Sequence, residues 1–166
     1  MKKILLVLSV LSFMACESED VASSEAIDDV EFIEAETLEE FDCVGQQVEN
    51  LPSIEDARTM IVGTWQLKGM ITMMPTEEVP NLKVEFKEDG GVFVTNAGEN
   101  VFTNAYSIND NISDNGFRSI EITTDEFGIE TSEFNFFTGT IRICEDELMI
   151  DNGIAFDAPG YLLRKI

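Results

Sequence analysis

From Pro52 onward the hydrophobic period of the chain is two. Leu82, Val84 and Phe86 alternate with Lys83, Glu85 and Lys87, the pattern of a strand with one face in a core and the other in water. In the segment before it, Trp65, Leu67, Ile71 and Met73 share one parity. Asp89-Gly90-Gly91 tolerates positive φ and is expected to close a hairpin into residues 92–95. Further strand segments are expected at 106–108, 117–124, 138–144, 148–151 and 161–165, bounded by turn-forming stretches such as 109–116 and 145–147. Connections this short leave no room for crossover helices, so the eight strands must pair antiparallel. An eight-stranded up-and-down β-barrel is the economical solution, because closure removes both unprotected edges. One short helix precedes it: Ser53 with Asp56 three residues later is an N-cap signature, Ile54, Ala57 and Ile61 share a face, and Gly63 stops it.

The N-terminus carries an address. Lys2 and Lys3 precede an apolar run over residues 4–14, too short to span a bilayer as a helix, and Ala15 stands before Cys16. This order resembles a bacterial lipoprotein signal, which implies cleavage of residues 1–15 and acylation of Cys16, with the acyl chains held in the outer-membrane lipid of a Gram-negative bacterium. Glu17, Ser18, Glu19 and Asp20 follow at once. They are similar to the export tag of surface-exposed lipoproteins, and equally to an ordinary solvated acidic linker.

Charge sets further limits. The chain has 33 acids against 10 bases and a net charge of -23, so phosphate backbones and anionic headgroups repel it; nucleic acid is not an expected partner. From Glu17 to Asp56 there are fifteen acids and no Lys or Arg, the composition of a self-repelling tether. The organisation expected is therefore a signal peptide over residues 1–15, a lipidated cysteine and acidic tether over 16–51, and the barrel over 52–166. Within the tether, Ile27, Val30, Ile33, Leu38 and Phe41 are spaced as on one face of an imperfect amphipathic helix able to dock on the domain.

Gly63-Thr64-Trp65 opening the first strand, Phe86 with the Asp89-Gly90 hairpin, and the last strand Tyr161-Leu162-Leu163-Arg164-Lys165 together resemble the lipocalin-like domain of bacterial lipoproteins, over residues 54–166. The resemblance implies that Trp65 closes the barrel floor beneath the guanidinium of Arg164, a pairing worth about 0.5–2 kcal/mol. It also implies a pocket for a small apolar ligand, lined by the inward residues Trp65, Leu67, Ile71, Val84, Phe86, Tyr106, Ile120, Ile141 and Leu148. The alternative is that the same residues are packed core, since a barrel of eight strands is just narrow enough for side chains to fill. In that case the barrel is a rigid head that meets other envelope or host proteins through loops such as 73–76 and 152–159, with Met70, Met73 and Met74 as contact or rim residues.

Catalytic chemistry finds little support. There is no histidine, which removes the commonest general base and zinc ligand. Carboxylate pairs arise by chance among 33 acids, and neither a Gly-rich phosphate loop nor a nucleophile elbow is present. No catalytic residue, metal site or cofactor is expected. The oxygen-rich stretch from Asp110 to Gly116 misses the EF-hand spacing: counted from Asp110, Glu121 falls at position twelve, but Ile112 stands at three and Asn115 at six. With Cys16 lipidated, Cys43 and Cys144 remain, an even number in an oxidising compartment that invites a disulfide; two unpaired thiols are the rival reading. No Cys-x-x-Cys is present. Substituting Cys16→Ser is expected to release the protein from membranes; a variant still fractionating with the outer membrane after a high-salt wash would overturn the lipidation reading.

Overall fold

A computed structural model describes residues 30–46, 51–124 and 138–166; the signal segment, Cys16 and the start of the tether lie outside them. Its strands are β1 (Phe32–Glu34), β2 (Gly63–Ile71), β3 (Glu78–Pro80), β4 (Leu82–Phe86), β5 (Gly91–Asn96), β6 (Glu99–Ile112), β7 (Arg118–Thr124), β8 (Gly139–Ile143), β9 (Glu147–Asp151) and β10 (Gly160–Lys165). Two helices, α1 (Asp42–Gln46) and α2 (Ile54–Ile61), accompany them. Eight strands close in the order β10-β2-β4-β5-β6-β7-β8-β9, every pair antiparallel, while β1 and β3 form a separate ribbon. The expected all-β, eight-stranded up-and-down barrel is therefore the observed one.

Alternation works where it was cleanest. In β4 the burial pattern is strictly in and out, with Leu82, Val84 and Phe86 inward. The hairpin at Asp89-Gly90-Gly91 forms where expected, with Gly90 at a φ of +86°. Ser53 caps α2, its Oγ accepting the Asp56 N–H at 3.1 Å, and Ala57 and Ile61 turn into the core. The helix lies across one end of the barrel, the floor, where the Trp65 indole N–H donates to the Ile61 carbonyl at 2.7 Å.

Three expectations need correction. First, β2 carries a bulge. Leu163 pairs with Leu67 but Leu162 pairs with Gly69, so Lys68 is an extra residue and parity reverses beyond it. Met70 therefore packs with the inner core, whereas Ile71 packs with a cluster on the outside of the barrel; Met73 lies past the strand and is 80% exposed. Second, β6 is far longer than the expected 106–108: it runs 14 residues, and the turn expected over 109–116 contracts to the tip. There Ser113 N–H donates to the Phe117 carbonyl and Ser113 Oγ accepts the Phe117 N–H. The Asn and Asp residues that read as turn chemistry are held in strand by the ladder to β7. Third, the described part of the tether is not a free spacer, and of the amphipathic helix expected across Ile27, Val30, Ile33, Leu38 and Phe41, Ile27 lies outside the described residues and the other four do not share one helix. It runs as β1, a 3-10 turn (Leu38–Glu40) and α1, a strap laid over the outer face of the barrel.

The strap approaches β2 so closely that Gly69 is needed: the Glu36 N–H donates to the Lys68 carbonyl at 2.7 Å, and a Cβ at Gly69 would run into the Glu36 carbonyl oxygen. Gly69→Ala is accordingly expected to lower stability by about 1–3 kcal/mol and to expose the strap to proteolysis while the far-ultraviolet β-signal persists. An unchanged melting temperature with an unchanged digestion pattern would contradict this contact.

Candidate functional site

Seven of the nine residues expected to line a pocket, Trp65, Leu67, Val84, Phe86, Ile120, Ile141 and Leu148, belong to one inner core and are 0–1% exposed. Accessible area is what a water-sized sphere can touch, so none of these side chains faces a void large enough for water. Ile122, Tyr161 and Leu163 complete the packing, each fully buried. Burial pushes the Tyr161 phenol up to about 12, so it stays protonated and serves neither as a base nor as an anion. The two exceptions differ: Ile71 is on the outer face, whereas Tyr106 is half-buried and packs against the inner core at the floor.

Tyr106 borders a surface groove of about 480 Å³ between α2 and the β4–β5 hairpin, lined also by Arg58, Thr59, Val62, Glu88, Gly90, Ser107, Ile108 and Asn109. Its hydroxyl donates to the Lys87 carbonyl at 3.0 Å and its ring meets Phe86 edge-on at 5.0 Å. Burial first, and then the negative charge of Asp89, raises its pKa above the ordinary tyrosine value. The Arg58 guanidinium is committed to the Ile108 carbonyl, at 2.8 Å from one nitrogen and 3.3 Å from another. The groove thus holds built hydrogen bonds and no activated nucleophile.

At the floor, the cation over Trp65 is Lys165 and not Arg164. Its Nζ lies 5.2 Å from the indole ring and donates to the Met60 carbonyl at 2.9 Å, near the C-terminus of α2 where positive charge is favoured. Tyr161, Leu163 and Lys165 point inward, so alternation turns Arg164 out. Gly63 accommodates the arrangement, with a φ of +133° and a would-be Cβ only 2.8 Å from Lys165 Cε. Gly63, Trp65 and Lys165 are therefore a stability device at the barrel floor.

Arg164 does different work on the outside. Its guanidinium lies 4.2 Å from the Phe41 ring centroid, donates to Glu36 at 2.7 Å and to Glu147 at 3.1 Å, and reaches the Glu40 carbonyl at 2.6 Å. Glu147, only 5% exposed, accepts the backbone N–H groups of Asp42, Cys43 and Val44 at the start of α1, at 2.8–3.1 Å. A carboxylate there satisfies donors that a helix leaves unpaired. Around it Phe41, Val44, Cys144, Met149 and Leu162 form the outer cluster. Cys43 and Cys144 are bonded as a disulfide, 101 residues apart with Cα atoms 6.2 Å apart; this settles the choice between bridge and free thiols. In the chain-entropy view such a loop contributes up to roughly 4–5 kcal/mol.

The oxygen-rich β6–β7 turn is used up internally. Asp110 pairs with Arg118 at 2.8 Å and Asn111 donates to Glu121. Among the described residues no three His, Cys, Asp or Glu side chains are grouped as metal ligands. Compared with known proteins, the chain matches no protein-family model, no curated protein and no solved structure.

Glu147 links the strap to pH. Burial raises a carboxyl pKa, but the N–H groups of Val44, Cys43 and Asp42 together with Arg164 outweigh it and hold this one below its ordinary 4.5. The stabilisation is therefore complete above pH 4.5 and is lost as the pH falls below it. Amide exchange should show α1 and Phe41 losing protection on acidification before the barrel does, and Glu147→Gln should produce the same loss at neutral pH, costing about 1.5–3 kcal/mol. Equal acid sensitivity of strap and barrel would contradict this role.

Proposed function

We propose that this chain is a lipid-anchored, cell-envelope lipoprotein whose lipocalin-like barrel is a filled, non-enzymatic head that meets other envelope or host proteins through its surface. The observation that carries this reading over the ligand-carrier reading is the interior packing, where Trp65, Leu67, Val84, Phe86, Ile120, Ile141 and Leu148 have essentially no accessible surface. A carrier of drug-sized molecules needs a pocket of roughly 300–1,000 Å³, and these residues leave it no wall to line. The lipid anchor rests on Lys2, Lys3, the apolar run and Cys16.

The exposed apolar residues support the same reading. Met73 and Met74 are 80% and 78% exposed and Phe156 is 88% exposed. They lie in the loops after β2 and before β10, strands paired at Ile71 and Gly160, so both loops leave the barrel at the same end. The chain also enters there, with the Glu31 carbonyl accepting the Asn81 N–H just before β4. Methionine makes an adaptable contact surface.

Native mass spectrometry of the chain from residue 16 onward, disulfide intact, after incubation with a lipid and metabolite extract of the cells that make it, tests the reading. It predicts the bare mass. A reproducible adduct of roughly a few hundred daltons, lost on denaturation, would make the protein a carrier instead.

A further inference from the structure

Closure of the barrel leaves the end of β6 unpaired on one side. On one side β6 pairs with β7 through Ile112, opposite Arg118; on the other its pairing with β5 ends at Ala105, opposite Gly91. The Tyr106 N–H still reaches the Gly90 carbonyl at 2.7 Å. Beyond that the β4–β5 hairpin has turned away, and Ser107 to Ile112 continue past it.

Two bonds determine which way the backbone faces. Ser113 N–H donates toward β7, to Phe117, and Tyr106 N–H donates away from β7, to Gly90. Alternation then directs the N–H and C=O groups of residues 107, 109 and 111 into the β7 ladder and those of Ile108, Asp110 and Ile112 to the open side. Arg58 occupies the Ile108 carbonyl. Ile108 N–H and both backbone groups of Asp110 and Ile112 have no backbone partner among the described residues. The groove bounded by Arg58, Val62, Glu88 and Tyr106 lies against this edge at Ser107–Asn109. At its far end Ile112 and Phe117 stand 68% and 74% exposed.

We propose that the open edge of β6 from Ile108 to Ile112 takes an extended, Lys- or Arg-bearing segment of a partner protein as an added strand, its main chain bonding to Ile108, Asp110 and Ile112 and its side chains entering the groove and covering Ile112 and Phe117. Strand addition of this kind draws affinity from main-chain bonds and specificity from alternate side chains. Charge selects the occupant. The cations nearby are engaged, Arg58 with Ile108, Lys87 with Glu85 and Arg118 with Asp110, while Glu88, Asp89 and Asp114 are exposed around the edge. A second copy is disfavoured, because pairing this short edge with itself brings two Asp110 side chains and two chains of net charge -23 together. The inference goes beyond the proposed function and holds whether or not Cys16 is acylated.

The test is amide exchange by NMR on the chain from residue 16 onward, carrying Cys16→Ser, with a synthetic ten-residue peptide alternating Lys and Val as probe and its Glu–Val counterpart as control. In the free protein, amides 107, 109 and 111 should be protected and 108, 110 and 112 should exchange freely. With saturating Lys–Val peptide the latter three should slow by about tenfold or more, while the Glu–Val peptide leaves them unchanged. Asp110→Pro removes the central donor on the open side and spares the β7 ladder at the cost of the ion pair with Arg118, so it should abolish that slowing and lower the melting temperature only slightly; Ile112→Pro, which keeps that pair, serves if the first variant fails to fold. Protection of 108, 110 and 112 in the free protein, whether constant or rising with concentration as for a second copy, would overturn the proposal. So would no slowing with the Lys–Val peptide, or equal slowing with both peptides. A failure here leaves the native mass unaffected, so it is distinguishable from failure of the filled-head reading.

Discussion

The interior of an eight-stranded barrel is only as wide as the side chains that fill it, and here the filling is done by Trp65, Leu67, Val84, Phe86, Ile120, Ile141 and Leu148. Each is bulky, and together they leave no accessible surface between them. With the inside occupied, the surfaces left for the proposed recognition are outside: the loops at one end, the open edge of β6 at the other, and the strap along the wall. Trp65 is central to this arrangement, since its ring closes the floor and its N–H ties the barrel to α2. Truncating such a residue costs about 3–5 kcal/mol, so its role is to hold the head rigid.

The strap adds a second layer to one face of that head. Its composition is that of a disordered segment, and it orders because a few contacts distant in sequence are strong. Glu147 and Arg164 supply charge-assisted hydrogen bonds, roughly twice as strong as neutral ones, and the Cys43–Cys144 bridge ties the strap to the edge of β8. The same arrangement carries Glu31, Glu34 and Glu36 along β3 and β2, with Glu34 standing opposite Glu78 in the β1–β3 ribbon. Like charges directly opposite are destabilising in a ladder, which is consistent with an outer layer held by its ends and not by its own pairing.

Much of the barrel was legible in the sequence because alternation is a local signal. β4, the Asp89-Gly90 turn and the Ser53 cap each need only a few adjacent residues to be read, and the bridge needs only a count of cysteines. The bulge at Lys68 was not legible, because it is a property of the pairing between β2 and β10; it alone moved Ile71 from the inside to the outside. The exchange of Arg164 for Lys165 at Trp65 had a signal that went unused. Tyr161, Leu163 and Lys165 share a parity, but the adjacent apolar pair Leu162 and Leu163 allows either face to be inward, since both faces of β10 are covered, one by core and one by the outer cluster. The strap was hidden by its own acidity, as its partners Glu147 and Arg164 lie about a hundred residues away in the chain.

Xenon occupies dry apolar cavities, so methyl NMR spectra recorded under xenon pressure interrogate the filled interior directly. The account predicts that the methyl groups of Leu67, Val84, Ile120, Ile141 and Leu148 show no saturable shift. A saturable response shared by these inward methyls would reveal a cavity among them, and would contradict the claim that this barrel acts from its outer surface.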